Sequence, residues 1–88
     1  AYLSQSLFWL GNAQYATRDY KPAIASFKQL ISTTPEHPRV PESLLAIANC
    51  QLEIKETAAA RKTLGELIKA HPNTEAASAA KERLSKLK

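Results

Sequence analysis

Leu7-Phe8-Trp9-Leu10-Gly11-Asn12-Ala13-Gln14 returns as Leu44-Leu45-Ala46-Ile47-Ala48-Asn49-Cys50-Gln51 when the sequence is shifted by 37 residues. Leu10 meets Ile47, Gly11 meets Ala48, and Asn12 and Gln14 meet Asn49 and Gln51. The same shift carries Ala23 onto Ala60, Phe27 onto Leu64, Leu30-Ile31 onto Leu67-Ile68 and Pro35 onto Pro72. Large, small and polar residue types recur together, which marks an internal repeat and not a chance overlap of amphipathic helices.

Each copy reads as helix, short turn, helix. From Ser4 to Thr17, Leu7, Leu10, Ala13 and Gln14-Tyr15 fall three and four apart, as one face of a helix requires. The Arg18–Lys21 stretch breaks the chain, with Asp19 as expected N-cap and Pro22 in the first turn of the next helix. That second helix runs from about Lys21 to Thr33 and buries Ala23, Ile24, Phe27, Leu30 and Ile31. Pro35, Pro38 and Pro41 end it, and Pro41 opens a third helix reaching about Ile54. A fourth spans Thr57 to Ala70, and Thr74 caps an alanine-rich fifth that reaches Leu87, with Glu75 near its positive end. Strand signals are absent. The expectation is an all-α right-handed solenoid of two helix pairs and a capping helix, with repeats over about 4–37 and 41–74 and the cap over about 74–87.

Composition agrees. With 88 residues, 44% hydrophobic and 23% charged, there is material for one small domain. The apolar runs are far too short to span a bilayer, and two glycines argue against turn-rich β architecture. The net charge of +4 arises entirely after Ile54, where eight basic residues face four acidic ones. These basic residues alternate with Glu and Ala at helical spacing, and all six aromatics lie before residue 28. Charge without stacking aromatics reads as a solvated face, so nucleic acid is not expected as a partner. With no methionine and no leader segment, the sequence reads as an excised piece or processed product.

The spacing Leu7-x2-Leu10-Gly11-x2-Gln14, Ala23-x3-Phe27, Pro35, and its second copy ending at Pro72, resembles the tetratricopeptide repeat. Gln14 and Gln51 stand where that family usually has tyrosine, Arg18 where it has a turn glycine, and Leu30 and Leu67 where alanine is common. The period exceeds the usual 34 by the residues around Pro38 and Pro41. Pro35-Glu36-His37-Pro38-Arg39-Val40-Pro41-Glu42, Phe8-Trp9-Leu10-Gly11, Asn49-Cys50-Gln51-Leu52-Glu53 and the stretch His71 to Leu84 are together similar to the C-terminal domains of the periplasmic Tol-Pal-associated (YbgF/CpoB) family. That resemblance implies a periplasmic setting, a TolA-like protein partner with a peptidoglycan synthase as another, and a role in coordinating outer-membrane constriction with wall synthesis at division. It also implies a preceding repeat and an N-terminal coiled coil that makes the longer protein oligomeric. The alternative is a scaffold, spacer or oligomerisation element of another envelope protein, such as an outer-membrane assembly lipoprotein.

In stacked helix pairs the first helix of each pair lines a concave surface. The expected groove residues are Gln5, Phe8, Asn12 and Tyr15, their repeat equivalents Glu42, Leu45, Asn49 and Leu52, and Arg83 and Lys86 on the fifth helix. Asn12 and Asn49 form a ladder of amides able to donate and accept toward a bound chain; the competing reading has them bonded to neighbouring helices. The lysine–asparagine carboxylate clamp of chaperone-binding tetratricopeptide domains is not reproduced, because Phe8 and Leu45 occupy positions that would need to be polar. Such a groove favours an apolar or mixed surface. Trp9 is expected at a repeat-stacking surface, and Cys50 as a buried small hydrophobe. His37 and His71 flank turn prolines without further metal ligands, and no nucleophile, phosphate-cradling or cofactor pattern occurs, so no catalysis is expected.

Overall fold

The computed structural model describes residues 2–87, and among them it contains five helices and no strand. These are α1 (Tyr2–Ala16), α2 (Tyr20–Thr33), α3 (Val40–Glu53), α4 (Thr57–Ala70) and α5 (Glu75–Lys86). Each helix packs on the next, and α5 also reaches back to α3. The result is a slab of 37 × 28 × 17 Å. α4 lies where expected, and the other ends differ by a residue or two, as fraying helix ends do.

The apolar spacing explains the packing. Ala23, Phe27 and Leu30 of α2 are fully buried, and so are Ala60, Leu64 and Leu67 of α4, their equivalents 37 residues on. One core joins Leu7, Phe8, Phe27, Leu30, Val40, Ile47 and Cys50 across α1, α2 and α3. A second joins Ala48, Leu64, Leu67, Ala76 and Ala80 across α3, α4 and α5. Leu44 packs against both. Gly11 is small for a reason: a Cβ there would lie 2.7–2.8 Å from three atoms of the Phe27 ring. In the second pair a Cβ is present at Ala48, and the facing side chain is the smaller Leu64.

Both turns within pairs close the same way. Arg18 and Lys55 each take φ of 66°, the left-handed conformation that favours glycine. The Asp19 N–H then donates to Gln14 O at 2.8 Å and Arg18 N–H to Tyr15 O at 3.0 Å. Glu56 N–H to Gln51 O at 2.7 Å and Lys55 N–H to Leu52 O at 3.0 Å repeat the pattern, a Schellman closure in each copy. Asp19 occupies the N-cap of α2, but its side chain makes no capping bond. It accepts instead from Thr17 Oγ1 at 3.1 Å, which holds it on the α1 side of the turn. Thr74 does cap α5, accepting from the Ala77 N–H at 3.1 Å. In the linker, His37 Nδ1 accepts from the Arg39 N–H at 3.0 Å, so this ring organises the turn that leads into α3.

Candidate functional site

Glu42, Leu45, Asn49 and Leu52 fall at spacings of three and four on α3, as Gln5, Phe8, Asn12 and Tyr15 do on α1. Gln5, Glu42, Arg83 and Lys86 are exposed, while Asn12, Leu45, Asn49 and Leu52 are half-buried. Tyr15 lies exposed near the C-terminal end of α1. Its hydroxyl is raised above the ordinary tyrosine value, first by burial, then by Glu53 of α3, Cys50 and Tyr20, while Arg83 of α5 pulls it the other way. The Tyr15 ring also meets Tyr20 edge-on at 5.6 Å.

The asparagine ladder is not spent on neighbouring helices. Neither Asn12 nor Asn49 makes a side-chain hydrogen bond among the described residues, and Asn49 Oδ1 is buried without a partner. Ser43 Oγ is likewise buried without a partner. A buried, unpaired acceptor costs about 1–3 kcal/mol.

Phe8 departs from the sequence reading. It is 8% exposed and belongs to the first core, not to an open groove. Its ring meets Phe27 edge-on at 6.1 Å and Trp9 at 5.8 Å, and the Arg39 guanidinium lies over it at 4.9 Å. Arg39 was not among the groove residues expected from the sequence, because it sits in the linker and not on a helix face. Trp9, expected at a stacking surface, is 58% exposed; Leu3 and Leu10 on the same helix are 53% and 48% exposed.

The glutamines that replace tyrosine hold the pairs together. Ser26 Oγ donates to Gln14 Oε1 at 2.7 Å, and Thr63 Oγ1 to Gln51 Oε1 at 2.8 Å. This is one contact made twice, and its sequence signal was a hydroxyl at both 26 and 63 facing a glutamine twelve residues earlier. Cys50 is buried, and its thiol is pushed up to about 11 by burial and then by Glu53, as expected of an unreactive core cysteine.

Two cavities lie between the helices and at the linkers. One of about 230 Å³ has Leu44 and Ile47 of α3 between Ile31 of α2 and Thr63 of α4, with Lys28 and Glu66 as its charged residues. The other, about 370 Å³, lies where the two linkers approach, at Pro38, Pro41, Glu42, Thr74 and Glu75. Of the expected groove residues only Glu42 lines either one. Among the described residues no cluster of metal-ligating side chains forms, and no helix is long and apolar enough to cross a membrane.

Two helix pairs closed by identical left-handed turns, with small-against-large packing inside each, define a helical repeat protein. The chain belongs to the tetratricopeptide repeat family, whose pattern matches residues 14–84. Such repeats generally mediate protein–protein interaction and are typically non-catalytic. A search of the curated proteins finds no match.

Proposed function

We propose that this chain is a non-catalytic interaction module that captures a segment of a cell-envelope protein across the face of α1, α3 and α5. The observation that supports it best is that Asn12 and Asn49, half-buried at equivalent positions of α1 and α3, make no side-chain hydrogen bond among the described residues. The resemblance to the Tol-Pal-associated family supplies the setting: the periplasm of a Gram-negative cell, a TolA-like helical segment as partner, and coordination of envelope constriction with wall synthesis. Function here is recruitment through differential affinity.

The test is a calorimetric titration with the central helical segment of TolA at low and moderate salt. Saturable heat that persists with salt and disappears in Asn12→Ala/Asn49→Ala, with helical content and melting temperature unchanged, is the expected result. Heat that is unaffected by the double substitution and vanishes with salt would refute the groove in favour of the basic C-terminal face.

The exposed Leu3, Trp9 and Leu10 of α1 favour a second reading, a scaffold or oligomerisation element of another envelope protein. Concentration-dependent association in sedimentation that Trp9→Ser abolishes, without any TolA binding, would move that reading ahead.

A further inference from the structure

The exposed large apolar side chains among the described residues, Leu3, Trp9, Leu10 and Tyr15, all lie on α1. The repeat shows what covers the first three. Shifted by 37 residues, Leu3 becomes Val40 and Leu10 becomes Ile47, and exposure falls from 53% and 48% to 2% and 3%. Exposed Ser6 becomes fully buried Ser43. Val40 and Ile47 share one core with Phe27 and Leu30 of α2. A second shift gives Ala77 and Ala80, both fully buried, and half-buried Leu84. Ala80 and Leu84 pack with Leu64 and Leu67 of α4. Twice in this chain, the face that α1 leaves open is closed by the helix immediately before it in sequence.

A second copy has no such helix to lend. Ala23, Phe27 and Leu30 of α2 and Ala60, Leu64 and Leu67 of α4 have no exposed surface, because each set is already spent inside its own fold. The opposite end differs. Where α1 and α3 carry Leu7 and Leu44, then Gly11 and Ala48, α5 carries Lys81 and Ser85, both exposed. A terminal element of a solenoid needs a polar outer face; α5 has one and α1 does not.

We infer that a further helix of the α2 and α4 kind, preceding α1 in a longer polypeptide, docks on Leu3, Ser6, Trp9 and Leu10. The repeat specifies its sequence. Ala23, Phe27, Leu30 and Pro35 stand 17, 13, 10 and 5 residues before Val40, and Ala60, Leu64, Leu67 and Pro72 stand at the same distances before Ala77. Counted back from Leu3, the docking helix therefore carries a small residue at 17, large apolar residues at 13 and 10, and a proline at 5. This surface is separate from the groove and does not depend on it.

The test is read first in the coding sequence upstream of Ala1 and then in solution. Trp9 is the single tryptophan, so its emission and its quenching by iodide report on this face. With the upstream residues attached, quenching should fall severalfold and emission should move to shorter wavelength. Serine at the large position 13 before Leu3 should restore both to the values of the 88-residue chain, with α1 to α5 still helical by circular dichroism. Upstream residues that lack the pattern, or that carry it and leave Trp9 as open to iodide as before, would overturn the inference. Protection of Trp9 in the 88-residue chain that grows with concentration would also overturn it, since a second copy would then be the occupant. Neither failure touches the groove, whose own readout is the loss of partner heat in Asn12→Ala/Asn49→Ala.

Discussion

The two glycines sit in helices and make opposite predictions under the same substitution. A Cβ at Gly65 would meet nothing within 4 Å. Gly65→Ala therefore collects only the helix-propensity gain, about 0.5–1 kcal/mol, or several degrees in Tm for a domain of this size. A Cβ at Gly11 would meet Phe27 Cζ at 2.7 Å and Cε1 and Cε2 at 2.8 Å, and Phe27 has no exposed surface into which to retreat. Relieving that overlap means moving a close-packed ring, a strain of about 1–3 kcal/mol that outweighs the propensity gain. Gly11→Ala should destabilise by about 1–2 kcal/mol net. Phe27→Leu alone opens a cavity and should cost about 1–2 kcal/mol. The two together recreate the Ala48–Leu64 pairing of the second repeat, so their effects should offset by about 1–2 kcal/mol in a double-mutant cycle. Urea denaturation of the parent, Gly65→Ala, Gly11→Ala, Phe27→Leu and the double variant gives every term. If Gly11→Ala stabilises as much as Gly65→Ala, or the cycle is additive, the small-against-large account of the helix pairs is wrong.

Two further outcomes are expected. Arg18→Gly and Lys55→Gly relieve the left-handed turns and should each stabilise by about 0.5–1 kcal/mol, additively because they lie in separate turns; destabilisation in chemical denaturation would mean that these side chains hold the turns. The Cys50 thiol is raised from 9.0 to about 11 in the folded chain. Its contribution is therefore intact below pH 9 and is lost as only the unfolded chain releases the proton between pH 9 and 11. The loss is about 1.4 kcal/mol per pH unit in that window, seen as a steeper alkaline decline in stability than Cys50→Ala shows; parallel declines would refute it.

The repeat made the architecture legible, because its period carries helix, turn and core positions together. Phe27 and Leu64, Ala23 and Ala60, and Leu30 and Leu67 were all readable as core from spacing alone, and all are fully buried. What spacing could not reveal was contact between elements. Phe8 shares a helix face with exposed Gln5 and Tyr15, yet it is buried in the first core beside Phe27, with Arg39 over its ring from the linker, thirty-one residues away in sequence. Asp19 is a standard N-cap residue, but whether it caps depends on a competing hydroxyl at Thr17. The glutamines at 14 and 51 looked like departures from a family pattern. They proved to be half of a bond whose other half, a serine in one copy and a threonine in the other, shares only a hydroxyl.

Leu44 touches both cores, and α3 sends Ile47 and Cys50 into one while Ala48 enters the other. The chain is written in pairs but does not come apart in pairs. Pulling α1 and α2 from α3 strips one side of the helix on which α4 and α5 rest, so loss of either half weakens the other. Amide exchange should be slowest in α3 and quickest toward the far ends of α1 and α5, and a protease cut in either linker should release halves that no longer fold. The middle helix, and not either repeat, is the unit of cooperativity.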